Sequence, residues 1–321
     1  MRFVALFFSL ACLVSSQLAA AQSYPARPIR LINPYAAGGP TDTIAREIAS
    51  SMSIELGQQI VVDVKGGGGT VIGATIVANA MPDGYTILLG TQAPLILQPM
   101  INPKMPYDAE KDLIPIGMFT TVPGLISVPA SSPVKTLKDL IAFAKERPGK
   151  LNFASSGIST GSHLGGEMFN QLTRTQMLHI PYRGAAPATL ALVGKEVDVG
   201  FVNITPQLSQ IQAGTLRPLA VLGGARSSTL PQVPTAIEAG VPGLVAESWY
   251  GLFAPGGTPA AIINTLYAAL EKVMAKPDMK VKLAELGADI TVLDPKAFQA
   301  YITDDRTRLK SVLQKLDLKQ K

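Results

Sequence analysis

Three features of this sequence predict a two-lobed α/β protein, each lobe a mainly parallel sheet flanked by helices. Short β-prone runs alternate with helix-patterned ones from Ile29 onward, the grammar of βαβ units. The chain of 321 residues exceeds the size at which one core keeps growing. A late apolar run, Trp249 to Ala254, reads as a strand that returns to the first lobe once a second lobe is complete.

The first residues read as a secretory signal peptide. Arg2 supplies a short positive region, Phe3 to Leu18 is largely apolar, and Ala19-Ala20-Ala21 offers a small-residue cleavage site. A membrane anchor is the rival reading, but Ser9, Ser15, Ser16 and Gln17 interrupt the run, which falls short of the ~20 residues a span needs. Lipid attachment at Cys12 is disfavoured because Ser9-Leu10-Ala11 is a poor lipobox. The mature protein is expected to be soluble and exported. Cleavage after Ala21 would also remove the only cysteine, leaving no disulfide, thiol nucleophile or thiolate metal site. The formal charge of +5 is spread along the chain without a basic block, which suits a soluble protein better than a nucleic-acid binder.

Taken in order, Ile29 to Ile32 is a strand, and apolar residues at helical spacing follow at Ile44, Ile48, Met52 and Leu56. Ile60 to Val64 is the next strand, Val71 to Ala80 a helix, and Thr86 to Leu89 a strand. A second lobe begins near Val122-Pro123-Gly124. There Thr136 to Glu146 reads as a capped helix stopped by Arg147-Pro148-Gly149. Strands at Leu151 to Ala154, Met177 to Ile180 and Val197 to Phe201 each lead into a loop and a helix, and Leu219 to Leu222 is one strand more. After the returning strand come a helix from Pro259 to Ala275, a shorter one to Leu286, a strand Ile290 to Leu293 and a C-terminal helix carrying Phe298, Tyr301, Ile302 and Leu309. The lobes are accordingly 22–123 with 249–321, and 124–248.

Candidate chemistry sits in the loops. Asn33-Pro34-Tyr35-Ala36-Ala37-Gly38-Gly39-Pro40-Thr41-Asp42 joins the first strand to the first helix. Pro40 suits a first helical turn, the glycines permit close approach, and free N–H groups at a helix start favour an anion. Alone, such a loop is equally well a tight turn that binds nothing. Similar small-residue loops recur at Gly90-Thr91-Gln92, Ser155 to Ser162, Arg183-Gly184-Ala185 and Asn203 to Thr205, and in open α/β sheets such loops converge on one crevice. Tyr35 and Tyr182 are expected to wall it. Arg183 is read either as an attractor for an anion or as a solvated surface cation, and Trp249 as core.

Catalytic readings are thin. A hydrolase could be drawn from Ser156 or Ser162 with His163 and Asp198, yet no G-x-S-x-G elbow is present and the chain has two histidines, both better read as structural. No metal-ligand spacing is visible. Gly66 to Gly69 lacks the Lys-Ser/Thr of a phosphate loop and reads as a flexible turn near the cleft rim.

Together these stretches resemble a known family, the substrate-binding receptors of tripartite tricarboxylate transporters, also called Bug receptors. The matching segments are Tyr24 to Arg30, Pro34 to Asp42, Pro82-Asp83-Gly84-Tyr85-Thr86, Met105-Pro106-Tyr107-Asp108, Pro148 to Phe153, Thr160 with His163-Leu164, Pro181-Tyr182-Arg183-Gly184, and Leu230-Pro231 to Gly240. They run in family order along the mature chain. The resemblance implies a monomeric periplasmic receptor of the type II, Venus-flytrap binding-protein fold. Such a receptor closes on a small carboxylate, whether a di- or tricarboxylate or an aromatic one, and delivers it to a membrane permease without cofactor, metal or catalysis. It nominates Ala37, Gly38, Gly39, Thr41, Asp42 and Thr91 in the first lobe, and Ser156, Thr160, Tyr182, Gly184, Ala185 and Asn203 in the second. Val71, Ser159 and Val202 depart from the family pattern, and the lost acid at 202 argues for a plain carboxylate over an amino acid. A sensor that presents its ligand to a membrane histidine kinase would share this fold, and a secreted hydrolase using Ser156 and His163 is the more distant alternative.

Overall fold

A computed structural model describes residues 24–38, 40–158 and 160–316, without the side chains of Pro40 and residues 311–316. The expected signal peptide lies outside the described residues. Strands β1 (Ile29–Asn33), β2 (Ile60–Val64) and β3 (Thr86–Gly90) pair in parallel in the order β2-β1-β3. Helices α1 (Pro40–Leu56) and α2 (Val71–Ala78) connect them. Ile29 and Leu31 pack with Ile44, Ile48 and Met52 of α1, whereas Ile32 packs in a separate cluster with Ala74 and Val77 of α2. Successive strand residues point to opposite faces, so a strand covered on both sides reads as an unbroken apolar run.

After β3 come a π-turn (Ala93–Leu97) and the short α3 (Gln98–Ile101). The parallel arrangement then recurs: β5 (Asn152–Ser155), β6 (Leu178–Pro181) and β7 (Val199–Asn203) pair in the order β7-β5-β6. Helix α4 (Leu137–Glu146) leads in, and α5 (Gly161–Thr173) and α6 (Ala185–Val193) form the crossovers. The predicted cap of α4 is a full capping box. The Thr136 hydroxyl accepts from the Asp139 N–H, and the Asp139 carboxylate accepts from the Thr136 N–H.

Two antiparallel strands join the parallel groups. β4 runs unbroken from Leu113 to Pro129, and β9 (Glu247–Pro255) lies between β3 and β4, antiparallel to both. β4 pairs with β9 as far as Pro123, then with β7 from Gly124 and with β8 (Leu216–Val221) from Leu125. Val122-Pro123-Gly124, near which the sequence analysis begins a second lobe, is thus the middle of a long strand. Pro and Gly stand where β4 exchanges one set of partners for another, a point at which the regular ladder is interrupted anyway.

The remaining elements are α7 (Leu208–Gln212), α8 (Ala260–Met274), α9 (Pro277–Glu285), β10 (Asp289–Leu293) on β4, and α10 (Pro295–Leu316). α8 brings Leu266, Leu270 and Val273 to the core beneath α1. Trp249 is core, as expected: its ring meets Phe298 of α10 edge to face at 5.2 Å, and its indole N–H donates to the buried Asp305 carboxylate at 2.9 Å. Among the described residues no helix is long and apolar enough to cross a membrane.

Candidate functional site

A cleft of about 410 Å³ collects most of the nominated loop residues. Tyr35, Ala37, Gly38, Thr41 and Thr91 line it on one side, and Ser156, Thr160, Gly184, Ala185 and Asn203 on the other.

The first side is held by its own residues. The Asn33 side chain, fully buried at the end of β1, accepts from the Tyr35 N–H at 3.1 Å and donates to Asp42 at 3.2 Å. The other Asp42 oxygen accepts from the Gly38 N–H and from Arg46 Nε, each at 3.1 Å. Burial pushes the Asp42 carboxyl upward, but the Gly38 N–H, the Arg46 guanidinium and the Asn33 amide outweigh it and hold the group below the usual carboxylate range. Gly38 sits at φ +78°, where a side chain strains the backbone, and a Cβ there would meet nothing within 4 Å. Its glycine is therefore required by conformation rather than by crowding. The Tyr35 hydroxyl and Thr91 Oγ1 lie 2.5 Å apart, and Thr41 Oγ1 lies 3.4 Å from the Tyr250 hydroxyl.

The second side is a chain of hydroxyls at the end of β5 and the start of α5. Ser162 Oγ accepts from the Ser156 N–H at 2.8 Å and contacts Ser156 Oγ at 2.6 Å and Thr160 Oγ1 at 2.9 Å. Thr160 caps α5, accepting from the His163 N–H. Behind this loop the two histidines stack, with ring centroids 3.9 Å apart, and His179 Nε2 lies 2.6 Å from Ser155 Oγ. Burial lowers the pKa of each imidazole to about 4, and for His179 the nearby His163 adds to the shift. Both rings are consequently neutral near pH 7. Asp198 accepts from the Asn152 N–H at 2.9 Å and has no part in a Ser-His arrangement. Around α6, the N-cap Gly184 has no side-chain cap, and Arg183 stands exposed at the cleft edge.

Several nominated residues lie elsewhere. Asp42 lies beneath its loop as a brace rather than on the cleft lining, and it already takes the Gly38 N–H that the sequence reading offers to a ligand. Tyr182 also stays off the lining. It packs beside Ala188 and Leu192, and burial, with Glu196 nearby, raises its phenol pKa. Gly39 and Ser159 lie outside the described residues. Val202 is fully buried in the core and Val71 packs on another part of it, so neither lines the cleft. Gly66 to Gly69 do not line the cleft. Gln92, Ser162 and Arg183 line it from loops that the sequence singles out, and Ser248 and Tyr250 line it although no candidate loop holds them. Ser248 and Tyr250 come from β9, which loop patterns do not reach. Among the described residues no group of three or more His, Cys, Asp or Glu is placed to hold a metal ion.

Comparison with known proteins places this geometry. Residues 44–318 match the family described as Tripartite tricarboxylate transporter family receptor. The chain is 35% identical to Protein BugT of Bordetella pertussis over 302 residues, 94% of this chain and 93% of that one. The structure of R. palustris Rpa4515 with adipate superposes with a TM-score of 0.84 at 33% identity, covering 92% of this chain and 98% of that one. MatC (Rpa3494) from Rhodopseudomonas palustris with bound malate gives 0.78 at 31% identity, with coverage of 90% and 100%.

Proposed function

The chain belongs to the tripartite tricarboxylate transporter receptor family, solute-binding receptors rather than enzymes, and on that premise we propose that its cleft captures a small carboxylate. The observation that carries this reading is the convergence of the Tyr35–Gly38, Thr91, Ser156–Ser162 and Gly184–Ala185 loops on one cleft. A carboxylate entering it exchanges hydration for oriented donors: the N–H groups near Ala37, Thr41 and Ala185 and the hydroxyls of Tyr35, Thr91, Ser156, Thr160 and Ser162. Bonds to an ionised group are roughly twice as strong as neutral ones. The binding of adipate and malate by relatives supports the same class of ligand.

The lobes in this reading are 22–123 with 249–321, and 124–248. They close about β4, where this strand exchanges β9 for β7 and β8, and the closed form is what a membrane permease recognises. The protein acts as a monomer in the periplasm after cleavage near Ala21. A thermal-shift screen of the mature chain against mono-, di-, tri- and aromatic carboxylates tests the proposal. At least one should raise the melting temperature by several degrees at millimolar concentration, because a ligand of the folded state stabilises it by mass action. If none does so while the protein remains folded, the carboxylate-receptor reading is wrong.

A further inference from the structure

The hydroxyl wall of the cleft rests on a buried pair that the binding scheme above leaves unused. Ser155 is fully buried at the end of β5 and does not line the cleft. Its Oγ has three polar neighbours: His179 Nε2 at 2.6 Å, the Gly157 N–H at 3.2 Å and the Gly157 carbonyl at 3.3 Å. The amide can only donate, so the single hydroxyl proton goes either to the imidazole or to the carbonyl. That carbonyl is already supplied, by the Thr160 hydroxyl at 2.7 Å and the Thr160 N–H at 3.4 Å. The shorter contact and the open acceptor therefore agree on His179 Nε2, which leaves the ring proton on Nδ1. Stacking with His163 at 3.9 Å and Phe153 at 5.0 Å holds the ring in this orientation.

We infer, given the receptor reading above, that His179 is a positioning residue of the binding wall: its bare Nε2 takes the Ser155 proton and so fixes the loop that presents Ser156 and Thr160 to the ligand. With that proton spent on His179, the Thr160 hydroxyl keeps the Gly157 carbonyl, and Thr160 Oγ1 accepts from the His163 N–H at the start of α5. Ser162 accepts from the Ser156 N–H and donates to Ser156 Oγ, which frees the Ser156 hydroxyl to donate into the cleft. An imidazole that offered Nε2–H instead would turn the Ser155 proton onto the Gly157 carbonyl, where three donors would compete for two lone pairs. The loop would loosen where the ligand meets it.

Two measurements on the mature protein test this. Nitrogen-15 NMR at pH 7 should find the His179 ring protonated on Nδ1 and bare on Nε2; the opposite tautomer would overturn the inference. Titration with adipate then separates chemistry from shape. His179→Phe keeps an aromatic ring in the stack but removes the acceptor, and should weaken adipate roughly 5- to 10-fold, the range for one buried hydrogen bond. His179→Gln loses the stack but offers a carbonyl to Ser155, and should stay within about 2-fold of wild type. Ser155→Ala should match His179→Phe, and the two together should cost no more than either alone, because they break one interaction. Full affinity in His179→Phe, or losses that multiply in the double variant, would overturn the inference and leave the receptor reading intact. Failure of wild type to bind adipate would count against the carboxylate reading instead; the amide signals of Gly157 and Thr160, shifted by His179→Phe and not by His179→Gln, would still decide whether His179 sets the loop.

Discussion

The two sides of the cleft are built on different principles. On the first, nearly every polar group is satisfied by another group of the same lobe: Asn33 holds Tyr35 and Asp42, and Asp42 holds Gly38 and Arg46. On the second, serine and threonine hydroxyls bond in a chain that retains spare donor and acceptor capacity, a stacked imidazole pair supports them, and a cation stands unpaired. A loop braced from within keeps its shape whether or not a ligand is present. A wall with an unpaired charge leaves electrostatic energy to be gained when the ligand arrives. Shape and charge are therefore divided between the two sides.

The largest test of this contrast is acid. Both histidines lie behind the second side and none behind the first. Their folded pKa of about 4 is depressed from 6.5 by burial, so the unfolded chain binds more protons between those values. Their contribution to stability is full above pH 6.5 and is lost as pH falls through about 4. The melting temperature should drop by several degrees across that window, and more steeply than in a His179→Gln variant. Parallel profiles would remove the imidazole pair from the support of the second side.

Asp42→Ala should come next. It strands the buried Asn33 amide and the Gly38 N–H, at a cost of about 1–3 kcal/mol, which weakens carboxylate binding by roughly 10- to 100-fold. Asp42→Asn should recover part of the loss. Equal affinities for Asp42→Ala and wild type, measured by titration, would show that the first side needs no brace. Gly38→Val places a β-branched residue at positive φ, with a strain of roughly 1–3 kcal/mol, and should weaken binding through the loop's conformation. Gly38→Ala should lose nearly as much, because the strain lies in the backbone; wild-type affinity in Gly38→Ala would favour crowding instead. Tyr35→Phe is the smallest change. It removes the hydroxyl paired with Thr91, worth about 1 kcal/mol, and should weaken binding about 5-fold with little effect on melting.

Much of the fold is legible in the sequence because both parallel groups announce themselves through apolar strands and capped helices. β1 and β2 lie where the runs Ile29 to Ile32 and Ile60 to Val64 place them, and the return of Trp249 to Ala254 to the first sheet follows from its apolar character. The continuity of β4 is not legible, because Pro123 and Gly124 carry the local signature of a turn and only their partners on either side make them strand. At the site, loop chemistry identifies which segments meet but not the direction of each side chain. Asp42 bears the residue type and spacing of a ligand contact yet turns inward to its own loop. Ser248 and Tyr250 reach the cleft from a strand, so their role depends on tertiary pairing that no local pattern encodes.

The position of β9 also sets the order in which the chain can become structured. β3 ends at Gly90 and β4 begins at Leu113, yet the strand that separates them in the sheet is Glu247–Pro255. A nascent chain truncated before Glu247 holds every element of the second parallel group and still has an open gap in the first. Such long-range closure slows folding relative to local pairing, and it leaves the edges of β3 and β4 exposed until late in synthesis. The first half of the polypeptide therefore has to remain unfinished while the second is made, a delay that gives any chaperone or export factor its longest access to residues that later lie at the centre of the molecule.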